Sequence, residues 1–198
     1  MQNTITMWSI VTRWLHALIA LSIITQLLLS QVLAPPDEFE DATDLAKAAM
    51  EGHEVIGLIV AGLLVIHWLW LFLRQSDVKL RNLFPLHLAG RQQVGADIRY
   101  ALKNKLLPSA ENHGGLSGLI HGVGILIASG VAFTGVGLYI VMDFTAKGFD
   151  SFLFEAVAEI HELFGNLMWF YLIAHVVAAA WHEYSGDHII GRMFRLFK

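Results

Sequence analysis

Two apolar stretches begin and end alike: HEVIGLIVAGLLVIH from His53 to His67, and HELFGNLMWFYLIAH from His161 to His175. Each opens with His-Glu, has a glycine four residues on, and closes on a histidine fourteen residues after the first. On a helix fourteen residues rise about 21 Å and end some 40° from eclipsed. In a left-handed bundle they make four whole turns. Each pair therefore lies on one helix face at two depths. Imidazoles inside apolar helices are costly and mark functional sites, and two levels of imidazole point to two stacked metal cofactors. The chain has no cysteine, which excludes disulfides, iron–sulfur clusters, thiolate zinc and covalently attached haem. A zinc site wants four close ligands. Haem needs two axial histidines and an apolar slot between helices. Gly57 and Gly165, one turn after the first histidine of each pair, make room for a flat macrocycle.

These histidines need membrane helices to hold them. Of 198 residues, 56% are hydrophobic and 15% charged, against about 25% charged in soluble domains. Apolar segments at about 7–32, 52–74, 116–142 and 160–183 each meet the roughly 20-residue span of the hydrocarbon core. Backbone groups in lipid must be satisfied internally, so these are helices. The expected fold is all-α, a single domain over 1–198: an integral membrane four-helix bundle with two haems stacked between the helices. The first segment is read as a retained helix and not a signal peptide. No Lys or Arg precedes residue 13, and Pro35 would follow a cut at VLA directly.

Of the 13 Lys and Arg, seven lie from Arg74 to Lys105, three in the tail (Arg192, Arg195, Lys198), and Arg13 starts the first span. The positive-inside rule then places both termini and the middle loop of a multi-pass chain in the cytoplasm. Trp8, Trp14, Trp68, Trp70 and Trp181 gather towards that interface. Residues 91–107 of the middle loop mix basic and apolar side chains, as a surface-lying helix would. The first outer loop is acidic, carrying Asp37, Glu38, Glu40, Asp41, Asp44 and Glu51 against Lys47. At the outer level only His53 and His161 lie inside helices. At the inner level there are four candidates, His16, His67, His121 and His175, and spacing alone does not choose between them. The glycines of the third span are read as close helix packing. His87, His182 and His188 are read as exposed or interfacial.

The stretches TRWLHALIA, HEVIGLIVAGLLV and HELFGNLMWFYLIAHVVAAAWHE, joined by a basic loop, resemble the bacterial di-haem cytochrome b561 and nickel–iron hydrogenase b-type cytochrome family. That family includes the membrane subunits of formate dehydrogenases. The resemblance implies two non-covalent, bis-histidine b haems, one on His53 and His161 and the other on His16 and His175. It implies that Arg13, one turn before His16, meets a haem propionate. Family members commonly carry arginine at the place of His67, so His67 is read as a polar contact to the inner haem more than as a ligand. The family's quinone site has a short Asn-x-Gly segment entering the third helix, and ENHGGLSG offers Asn112 and Gly114 there, with Glu111, His113 and His121 as proton relays. Asn112 as a simple helix N-cap weighs equally.

The function so implied is transmembrane electron transfer between a periplasmic redox partner and membrane quinone. The chain would be an electron-transfer subunit of a respiratory oxidoreductase and not a complete enzyme, with no catalytic residue of its own. The implied partners are a periplasm-facing redox subunit or c-type cytochrome, menaquinone or ubiquinone, and membrane lipid. No nucleic acid is expected, and a homodimer is left open. The alternatives are a solitary quinone-linked oxidoreductase, for instance from superoxide to quinone, and a haem-free membrane anchor or small transporter.

Overall fold

The computed structural model describes residues 8–34, 41–73, 76–108, 114–144 and 152–197, the side chains of 142–144 excepted. The described residues form helices α1 (Ile10–Leu29), α2 (Asp44–Phe72), α3 (Leu80–Leu83), α4 (Leu88–Asn104), α5 (Gly115–Phe144), α6 (Phe152–Tyr184) and α7 (Ile189–Met193). Four of them, α1, α2, α5 and α6, are long and apolar enough to cross a membrane. Large apolar side chains along them stand exposed, Phe133 at 81% and Phe170 at 76%. A water-soluble protein would bury such rings; here lipid covers them while the helices satisfy their own backbone groups. The chain is a multi-pass membrane protein.

Helix ends follow capping and not hydropathy. Helix α2 starts at Asp44, eight residues before the apolar segment at 52. Thr43 opens it, with its hydroxyl accepting from the Ala46 amide at 3.3 Å, the N-cap geometry that satisfies an otherwise orphaned donor. The polar turns DLAKAAME that follow suit a helix outside the hydrocarbon. Helix α4 covers 88–104 where the sequence suggested 91–107, because Lys105 turns into the left-handed conformation (φ 53°) and stops it.

The chain forms two compact units, and each long helix contributes to both. The first unit holds Met1–Ala17, His67–Leu126 and Phe170–Lys198. Here Ser9 caps α1, accepting from the Thr12 amide at 3.2 Å. The Asp77 carboxylate in turn holds the cap: it accepts from the Ser9 amide at 2.8 Å, the Ser9 hydroxyl at 3.0 Å and the Thr12 hydroxyl at 2.6 Å. Trp70 Nε1 donates to the same Thr12 hydroxyl at 3.0 Å. Helix α5 begins at Gly115 with φ +63°, and a Cβ there would also lie 2.1 Å from Asp97 Oδ2. Asp97, on α4, accepts from the Leu116 amide at 2.9 Å and so caps α5 from another helix. Arg13 is buried and donates through Nη1 to the Arg195 carbonyl, and Phe197 packs edge-on to Trp14 at 5.6 Å. The C-terminal segment is thus fastened to the start of α1.

Burial pushes the Asp77 carboxyl up, but the hydrogen bonds from Thr12 and Ser9 outweigh it and hold the group below its ordinary value of 3.8. A carboxyl with a lowered folded pKa adds stability that is complete above the unfolded value and disappears as pH falls through the folded one. Asp77→Ala is expected to cost about 1 kcal/mol at neutral pH, the usual worth of a cap. The deficit should shrink below about pH 4, where the wild-type carboxylate also protonates. Thermal melts of the detergent-solubilised protein at neutral and acid pH check both parts.

The second unit holds Leu18–Ile66 and Ile127–Trp169. Gln26 on α1 donates to the His53 carbonyl at 2.8 Å. A Cβ at Gly130 would lie 2.5 Å from the Phe164 ring, so α5 and α6 approach there only because position 130 is glycine. The close-packing expectation for the third-span glycines describes this contact. It also describes Gly124 in the first unit, where a Cβ would lie 2.2 Å from Tyr171.

Candidate functional site

In the second unit α2 and α6 bring His53 and His161 together, with ring centres 6.2 Å apart and planes at 87°. Imidazole nitrogens each about 2 Å from one metal ion, on opposite sides, put the ring centres about 6 Å apart. The pair therefore has the separation of two axial ligands. Helix α5 orients His161 from three positions. Its Nδ1 lies 3.1 Å from the Val131 carbonyl and 3.0 Å from the Thr134 hydroxyl. Gly135 leaves room beside it, since a Cβ there would come within 3.1 Å of His161 Cε1. A bond to a carbonyl requires Nδ1 to carry the proton, which leaves the Nε2 lone pair for a metal. His53 is held less directly, by the Gln26 bond to its carbonyl, and its Nδ1 is buried without a partner. Gly57 makes room for Gln26, whose Nε2 would lie 2.8 Å from a Cβ, while Gly165 faces open space. Of the two matched glycines, only Gly165 has open space where a Cβ would stand.

In the first unit His16 on α1 and His175 on α6 have ring centres 6.3 Å apart. His121 is closer to His175, at 5.3 Å and edge-on, short of the separation of two ligands on opposite sides of one metal ion. Its Nδ1 is occupied by the Ser117 carbonyl at 2.7 Å. Tyr171 stacks on His175 at 5.5 Å, and Phe194 packs edge-on to His16 at 5.8 Å. The His16 Nδ1 is buried without a partner, as in His53. His67 differs: both its ring nitrogens are buried without a hydrogen bond. A cavity of about 150 Å³ opens beside His16, His121 and His175, and Gly114 lines it. His67 does not line it. Asn112, with Glu111 and His113, lies outside the described residues. Arg13 is 4% exposed, and its Nε is buried without a partner while Nη1 donates to the Arg195 carbonyl.

His182 has contacts beyond its reading as exposed or interfacial. It is 13% exposed, lines the same cavity, and its Nδ1 lies 2.6 Å from Asp187 Oδ2. The signal was present in HEYSGD. A glycine four residues after His182 stops the helix, and the reversed chain returns the next residue to the histidine. His188, at 72% exposed, is a surface residue as expected. His87 is partly buried beside Arg81, whose Nε donates to its Nε2 at 3.3 Å.

Among the described residues no three His, Asp or Glu side chains converge to hold a bare metal ion. Paired imidazoles at the separation of two opposed ligands suit a macrocycle whose four ring nitrogens complete the metal's coordination. No curated protein and no solved structure matches the chain. The sequence model of the prokaryotic cytochrome b561 family matches residues 7–196, and the chain therefore belongs to that family of membrane cytochromes, whose electron carrier is b-type haem.

Proposed function

We propose that the protein binds two b haems, one in each unit, and carries electrons across the membrane between a redox partner and quinone. The observation that carries this reading is the recurrence of one geometry: His53 with His161 at 6.2 Å, and His16 with His175 at 6.3 Å. Held between two histidines, a haem supplies one-electron storage at an iron with no open position, so exchange of electrons is favoured over chemistry on small molecules.

The chain's own residues set how the haems are held. Val131 and Thr134 fix the His161 tautomer and increase its donor strength. Phe194 and Tyr171 shield the first-unit imidazoles from water. Arg13, buried beside the Arg195 carbonyl, is the cation available to a propionate. His67 is a polar neighbour and not a ligand. Gly114 and His121 line the cavity where quinone is placed, and Asn112 is assigned to that site from the sequence motif alone. The basic segment 79–105 and the basic tail support a cytoplasmic location for the termini, in the inner membrane. The acidic segment before α2 would then face the periplasm and steer a basic donor, such as a c-type cytochrome or the electron-donating subunit of a hydrogenase or formate dehydrogenase.

A reduced-minus-oxidised spectrum of the purified protein should show b-type bands with about two haems per chain. Proteoliposomes with the termini inside, given an external donor, should reduce quinone and turn alkaline inside. A protein without b bands would sink the haem reading. Quinone reduction with no change in internal pH would sink the direction of proton uptake.

A further inference from the structure

We infer that the His182–Asp187 pair donates a proton to the quinone, a role that rests on the quinone reading above. The pair is made by the way α6 ends. Gly186 adopts φ +93°, the Asp187 amide donates to the His182 carbonyl at 3.0 Å, and the Gly186 amide donates to the Glu183 carbonyl at 3.2 Å. These are the two bonds of a Schellman motif, which brings the residue after the glycine back onto the third-last helical residue. Commonly that contact is apolar; here it is a carboxylate on an imidazole. The ring is 13% exposed and lines the cavity, whereas Asp187 is 31% exposed and reaches water. With Nδ1 held by Asp187, Nε2 is the ring nitrogen left for another partner.

Two other polar groups that line the cavity, Asp97 and His121, have partners of their own. Asp97 accepts from the Leu116 amide and from Gln93. His121 Nδ1 is bonded to the Ser117 carbonyl. Arg192 donates to the Asp187 backbone carbonyl and leaves the carboxylate to His182. Glu183, next in sequence, turns the other way to His188 and the Ile190 amide. His182 thus combines a ring that lines the cavity, a second nitrogen left for a partner and, through Asp187, a link to solvent. An ion pair that merely closed the helix would not need its ring to line a cavity.

Reduction of a quinone to a quinol takes two electrons and two protons. The electrons come from the external donor through the chain, one at a time. One carbonyl oxygen forms its O–H bond with the Nε2 proton of the His182 imidazolium. The neutral imidazole regains a proton from water, while Asp187 remains a carboxylate and holds Nδ1–H. The second oxygen takes its proton from water.

The test uses the full-length, haem-loaded protein, pre-reduced and mixed with decylubiquinone. Haem oxidation is followed optically and proton uptake with a pH dye. His182→Gln is expected to slow both about a hundredfold at saturating quinone, the usual worth of a positioned acid, and Asp187→Asn about tenfold. Haem content and the half-saturating quinone concentration should stay within about twofold, and added imidazole should restore part of the His182→Gln rate. The inference is overturned if His182→Gln, with haem intact, oxidises within about threefold of the wild-type rate. It is also overturned if either variant changes only quinone affinity or haem content. A wild-type protein that decylubiquinone does not oxidise fails the quinone reading itself, and the proton role falls with it.

Discussion

Replacing His161 with alanine is expected to take one haem from the protein, and replacing His53 as well is expected to take no more. The same non-additivity should hold for His16 and His175. A double replacement drawn from different pairs, such as His53→Ala with His175→Ala, should leave essentially none. The expectation follows from the pairing. Each ring pair has the spacing of two ligands on one metal, and each belongs to its own compact unit. No cysteine tethers the macrocycle, so a haem that loses one of two axial bonds keeps only apolar packing and the other bond. Residues acting on one centre are non-additive, while residues acting on separate centres add. Haem counted per chain for the single and double variants separates the cases. Additive loss within a pair would mean that its histidines serve different haems. Unchanged content in all four single variants would remove the bis-histidine assignment altogether.

The legible part of this structure was periodic. Apolar length marked the four spans, and the fourteen-residue interval put His161 and His175 on one face of α6 before any neighbour was known. What the sequence hid was set by contacts between distant segments. Asp77 holds the cap of α1 across 68 residues, and nothing in its neighbourhood announces that. Arg13 reads as a propionate contact, yet in the protein its guanidinium also fastens the C-terminal segment through a backbone carbonyl, an acceptor no side-chain pattern can signal. Gly57 and Gly165 look equivalent in sequence. They differ because Gln26, on another helix, fills the space at only one of them. His182 is legible only in part. Its place in the tail marks it as exposed or interfacial, whereas its contact with Asp187 follows from a histidine four residues before a helix-stopping glycine that aspartate follows.

His67 and His16 provide the second test. His16→Ala is expected to lose the first-unit haem, and His67→Leu to keep both haems. By the fourteen-residue interval the two histidines look interchangeable, and the repeat even favours His67, the counterpart of His175. The packing separates them. His16 lies 6.3 Å from His175, the separation of two ligands on one metal. His67 has both ring nitrogens buried without a hydrogen bond. A buried polar atom without a partner costs about 1–3 kcal/mol, and an apolar replacement of similar shape removes that cost. His67→Leu is therefore expected to keep haem content and to change stability by no more than about 1 kcal/mol, whereas an axial ligand replaced by leucine would lower haem content and stability together. Haem per chain and the thermal midpoint, measured on the same preparations, tell these apart. If His67→Leu loses a haem and His16→Ala retains it, the first-unit haem hangs between α2 and α6, and α1 supplies only its cover.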